Sequence, residues 1–498
     1  MSTPTPERPQ TRAEALRAPT GCPVDAPAVN ELGPIAPSYD RLHRVDLIGD
    51  ARSATKAPQA SYESTVCAAL QAAEVGVLNL TRIAIRTATA VNDRDFGRAS
   101  RLVDWSVGFH RLLRRLGTVV VEARSLTGNG VGEAPSVSIA STAGYQAYVE
   151  ELHGLHDVVR CVLLVSDFNT VRTTIATKSI DDPLYRVLHG IRLGSHDATK
   201  WEADLSGIPL DLPGELDDVL ATATLARAVA VTELNPATLH GEFVALHQIP
   251  EILCAEANDH LEAAVRALRE GATSRVVLHL ALCNDLLWPM VEAQRVMAEL
   301  LATGEYHGFR ENLGPASGTH SLAVKQHMFK DLFKHFWATL ETWLGTQGGS
   351  VPDAIAHVDR HAHDGDAGAW LRQQVLHQAF RLQNAHQEWR HEHLHMPRNC
   401  LGSGGTKSMI GVPDGPQAVY KMRDAANANR SLQCIYAGRG MSLANEVGGS
   451  PLSALTSDPA SVDAELMRAV GEATRDYFPE VQEQSYQPFH SGEPERIP

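Results

Sequence analysis

The chain has 498 residues, of which 43% are hydrophobic and 21% charged, enough to bury a large core and more than one domain-sized unit. Its formal net charge of -15 argues against nucleic acid or an anionic membrane as partner, because both need a basic surface. Seven scattered cysteines without metal-site spacing suit free thiols in a reducing compartment. With no signal pattern and no apolar run of about 18 residues, a cytoplasmic protein is expected.

Residues 1–58 are rich in Pro, Ala, Thr and Ser and read as a disordered tail. Val66, Leu70, Ala73, Val77 and Leu80 then recur at spacings of three and four, as do Trp105, Phe109, Leu112, Leu116 and Val120. These predict two antiparallel helices joined at Asn92-Asp93. A further helix follows Ser141-Thr142-Ala143-Gly144 and runs to Val165, and 166–235 is mixed. Long amphipathic helices are predicted over Phe243–Arg269 and Thr273–Ala302, with Pro289 expected to kink the second. More follow at Ser321–Leu344, Ala369–His395, Val419–Tyr436 and Val462–Tyr477. No parallel-sheet pattern appears, so the class is all-α. Segments 62–165 and 239–340 share a layout of helix, helix and small-residue turn, which reads as a degenerate internal duplication. The expected division is a tail (1–58), a non-catalytic helical domain (59–235), a functional domain (236–480) and a frayed end (481–498).

Three blocks in the second half carry chemistry. The first is Phe243-Val244-Ala245-Leu246-His247-Gln248. The second runs from Tyr306-His307-Gly308-Phe309-Arg310-Glu311-Asn312 through Leu313-Gly314-Pro315-Ala316-Ser317-Gly318. The third is Trp389-Arg390-His391-Glu392-His393-Leu394-His395-Met396, followed by Gly402-Ser403-Gly404-Gly405. Read alone, a histidine on an apolar helix face is more often a satisfied core residue than a ligand. His391 and His395 lie about 200° around a helix from His393, so the three cannot share one metal. The glycine loop is no phosphate loop, since Thr406 separates Gly405 from Lys407.

Taken together and in this order, the three blocks resemble the tryptophan 2,3-dioxygenase family over residues 239–440, the middle block being the most specific. The resemblance implies a helical bundle like that family's and a haem b cofactor whose iron takes His393 as axial ligand. That ligation leaves the opposite face of the iron open for dioxygen. It implies His247 as the distal histidine, Phe243 and Tyr306 as walls of an aromatic pocket, and Ser403 on the substrate amine. Arg310 is implied as the grip on the substrate carboxylate, a role suited to its planar fork. Three functions fit: a dioxygenase opening the indole ring of L-tryptophan to N-formylkynurenine, a monooxygenase of tryptophan, tyrosine or a derivative, and a non-catalytic haem or tryptophan sensor. The first is the expectation adopted. Pro250 and Pro397 are expected to bend or interrupt the two histidine-bearing helices. Residues 60–235 are expected to stand where the family places a neighbouring subunit, and a homo-oligomer remains compatible with the resemblance.

Overall fold

The computed structural model describes residues 39–126, 136–165, 183–204, 206–210, 212, 214–230, 240–301, 321, 323–324, 328, 331–346, 354–355, 357–358, 361–362 and 365–401. These residues are mostly helical. Two short helices come first, α1 (Tyr39–His43) and α2 (Val45–Ala54). A long hairpin follows, α3 (Tyr62–Asn92) and α4 (Phe96–Leu126), then α5 (Ala143–Val165) and α6 (Pro183–Asp204). Strands β1 (Ser136–Ser138) and β2 (Ser206–Pro209) pair antiparallel on either side of α5 and α6. After the short α7 (Leu216–Val219) and α8 (Thr222–Ala230), a second hairpin forms from α9 (His240–Arg269) and α10 (Thr273–Leu300). The last described helices are α11 (Phe333–Gly345) and α12 (Ala367–Leu401).

Local sequence explains the boundaries. At the start of α3, the Ser64 N–H donates to Ser61 Oγ at 3.1 Å and the Ser61 N–H donates to Ser64 Oγ at 2.9 Å. This capping box satisfies two of the amides a helix start leaves orphaned. The α3–α4 break falls at Asp93, as the sequence predicts. Pro289 lies inside α10, and Pro250 inside a helix that starts at His240, so neither divides its helix. α12 likewise continues past Pro397 to Leu401. A proline removes only one backbone donor, and the packing of these long apolar faces outweighs that loss.

The two hairpins face each other. Ser64 meets Glu256, Thr65 meets His260 and Arg86 meets Glu242, so α3 runs antiparallel to α9. Arg111 meets Glu292, and Arg115 lies over Trp288 at 5.7 Å, so α4 runs antiparallel to α10. In each half the third helix packs on the hairpin's first helix (α5 on α3, α11 on α9). The fourth packs on its second (α6 on α4, α12 on α10). One hydrophobic cluster runs from Leu42 to Met396 and joins residues on both sides of position 235. Each fully buried Leu, Val or Phe in it contributes about 1.5–3 kcal/mol. Two helices, Tyr62–Asn92 and Thr273–Leu300, are long and apolar enough to cross a membrane by length and composition, a property the sequence reading did not find. Both are mostly buried in the bundle.

Residues 39–54 differ from expectation. They fall in the segment read as disordered tail, yet they form α1 and α2, with Tyr39, Leu42, His43, Leu47, Ile48 and Ala51 buried. The apolar spacing is sound, but each run is too short to stand out in a Pro- and Ala-rich background.

Candidate functional site

His247 stands on α9 two turns from its start. Its Nδ1–H donates to the Phe243 carbonyl at 2.8 Å, one turn back along the same helix. Three rings surround it: Phe243 at 4.4 Å, His43 stacked at 4.5 Å and Tyr39 edge-on at 6.2 Å. Burial lowers its pKa to about 4, and the Phe243 hydrogen bond only partly opposes that shift. The imidazole is therefore neutral at pH 7. With the proton held on Nδ1, Nε2 carries a lone pair and can accept a hydrogen bond or ligate a metal.

One turn further, the Tyr39 hydroxyl donates to Glu251 Oε1 at 2.7 Å. Burial raises the pKa of Glu251, and the Tyr39 and Ser321 hydroxyls hold the rise back. Gln248 Nε2 donates to the His43 and Ala228 carbonyls, each at 3.1 Å, and so pins α1 against α9. Tyr39, His43 and Glu251 thus belong to the His247 surroundings, and sequence reasoning missed all three. The available signal was Tyr39-x-x-x-His43, two rings one helical turn apart, ahead of the apolar Leu47-Ile48.

A second polar chain lies two to three turns along α9. Glu256 is bound by Arg52 at 3.0 Å, by the Ser64 hydroxyl at 2.5 Å and by His260 Nε2 at 3.4 Å. His260 also meets Thr65 Oγ1 at 2.7 Å and His279 Nδ1 at 3.2 Å. Burial opposes the charge on Glu256, but these donors together lower its pKa.

His393 sits on α12, which Arg295 ties to α10 through Glu388 at 3.1 Å and Glu392 at 2.9 Å. Its ring stacks on Trp389 at 5.1 Å, and its Nδ1 faces Gln294 Oε1 at 3.4 Å. Gln294 and His247 lie about equally far from the Gly271 turn, so His247 and His393 occupy the same end of the α9–α10 hairpin. His391 and His395 are exposed, as the helical geometry requires. Tyr306, Arg310 and Ser403 lie outside the described residues, as do the helices expected at Val419–Tyr436 and Val462–Tyr477.

The described residues can be tested for fit to a haem. His393 holds its Nδ1 against the Gln294 side-chain oxygen, the kind of second contact that orients metal-ligating imidazoles. Beside it, Gln294 Nε2 is a buried donor without a hydrogen-bond partner. A bound group with acceptor oxygens, such as a porphyrin propionate, would satisfy it. Among the described residues no cluster of three or more His, Cys, Asp or Glu could hold a bare metal ion. No protein-family model, no curated protein and no solved structure matches the chain.

Proposed function

We propose that this protein binds haem through His393 and oxidises an aromatic amino acid, with L-tryptophan the first substrate to test. The observation that carries this reading is His247. It is a neutral imidazole with a fixed tautomer, walled by Phe243, His43 and Tyr39. That tautomer decides its role. Nε2 can accept the ring N–H of an indole but has no proton to donate, so His247 orients substrate. Phe243 supplies the apolar wall for the ring, and Arg310 and Ser403 are proposed to hold the amino-acid end. His393, oriented by Gln294, would be the axial ligand. Haem, when bound, would supply the activation of dioxygen. We also read 62–165 and 239–340 as a degenerate duplication, supported by the packing of α5 on α3 and α11 on α9.

The test is direct. Purify the full chain, record haem content and absorbance with and without L-tryptophan, and weigh the product. Stoichiometric haem that His393→Ala loses is the expected result. A product heavier by two oxygens makes the protein a dioxygenase, and by one a monooxygenase. A preparation that stays colourless after hemin reconstitution overturns the reading.

A further inference from the structure

We propose that residues 39–54 form a hinged strap that closes over the His247 ring, with Arg52 as its latch. The strap brings Tyr39 and His43 against His247 at one end. At the other end Arg52 reaches Glu256 and Asp259 on α9. Between these two points the packing is incomplete. A cavity of about 400 Å³ lies between the strap and the α3 and α9 surface, bordered by Ile48, Gly49, Arg52, Cys67, Ala68 and Ala255. Gly49 is exposed on α2, and a Cβ added there would touch nothing within 4 Å. A helix that borders such a cleft makes fewer dispersion contacts there and belongs to the part of a fold that opens first.

Two further features favour opening. The chain joins α2 to α3 through a short connector in which Lys56 (φ 52°) and Ala60 (φ 53°) are left-handed without being glycine. Each such residue carries a strain of about 1 kcal/mol or more, which release of the strap relieves. The latch is also ionic. The Arg52 side chain keeps 32% of its surface in water, while that of Glu256 keeps 2%. When Arg52 leaves, Glu256 retains Ser64 and His260, so its carboxylate stays partnered. Opening removes Tyr39 and His43 from His247 and exposes its imidazole to a ligand.

The experiment combines hydrogen exchange by mass spectrometry with acylation of histidines by diethyl pyrocarbonate, on the full chain at pH 7. His247 is neutral there, so access alone sets its reactivity. In Arg52→Gln, amides of 39–54 should exchange at least tenfold faster, and His247 should be acylated faster in step. Amides of α3 and α10 should not change. Gly49→Ala strengthens α2 as a helix and should slow both readouts about fivefold. Strap amides exchanging no sooner than those of α3 and α10, or strap rates that change while His247 acylation does not, would overturn the proposal. Should Arg52→Gln fail to fold, unchanged rates in Gly49→Ala overturn it alone. Neither readout needs haem, so the strap and the haem reading fail separately.

Discussion

At one constant offset Asn92 corresponds to Arg269 and Phe96 to Thr273, so α3 can be laid residue by residue on α9. Gln71 and Glu74 then fall on Gln248 and Glu251. Both glutamines are buried, and both donate to one carbonyl in the strap and to one in the segment 220–228. Both glutamates are buried beside a hydroxyl, Thr142 for Glu74 and Ser321 for Glu251. The difference lies between these residues. Leu70 stands where α9 has His247. Glu251 receives the Tyr39 hydroxyl from the strap, whereas the donors beside Glu74 are the Thr142 hydroxyl and the Gly144 amide. At this offset α9 therefore places an imidazole where α3 places an apolar side chain, between otherwise matching polar residues.

The largest expected effect comes from making α9 copy α3. His247→Leu puts an apolar side chain of similar bulk into the ring box, so the fold should persist. The proposed oxidation should fall about a hundredfold, since a misplaced substrate can cost that much. Turnover against circular dichroism separates the two outcomes. An active leucine variant would mean that the pocket wall, not the imidazole, orients substrate.

Titration should distinguish the halves next. Burial raises the Glu74 pKa from 4.5 to about 7, Asp217 adds to the rise, and the nearby Thr142 hydroxyl and Gly144 amide hold it back. A carboxyl that holds its proton more tightly when folded contributes stability below its unfolded pKa and loses it as pH rises through the folded one. The loss is on the order of 3 kcal/mol. His247 behaves oppositely. Its folded pKa of about 4 lies below 6.5, so its contribution is full above 6.5 and is lost as pH falls toward 4. Glu74→Gln should match the parent near pH 4.5 and exceed it by about 3 kcal/mol at pH 8 in denaturant unfolding. A constant difference across that range would mean that Glu74 is not the titrating group.

Much of this frame was legible. The long helices announce themselves by apolar spacing, and Asn92-Asp93 marks its turn because Asp93 caps a helix that ends there. Pro250 and Pro397 do not interrupt their helices, because tertiary packing overrides the loss of one donor. The site was legible only on its own helix. Phe243 and His247 are one turn apart in sequence, but Tyr39 and His43 reach them from some two hundred residues away. No local pattern encodes that contact. The paired Gln-x-x-Glu was in plain sight at 71–74 and 248–251, but it is two residues in a long apolar run and gained meaning only when both glutamines met the strap.

The smallest predicted effect tests whether those glutamines remain equivalent. Gln71→Ala and Gln248→Ala each remove one donor from two buried carbonyls, so each should destabilise the protein by about 1–3 kcal/mol. Their consequences at His247 should differ. Gln248 holds the His43 carbonyl at the end of α1, directly over the imidazole, whereas Gln71 holds Ala51 in α2 at 2.8 Å. Loosening α1 lets water reach His247, so its pKa should climb from about 4 toward 6.5 in Gln248→Ala and stay low in Gln71→Ala. Carbon-13 labelling of the histidines reads that titration directly. Equal shifts in both variants would show the strap moving as one rigid piece, with α1 and α2 no longer separable. The two halves would then be coupled through it, and the asymmetry at His247 would rest on the imidazole alone.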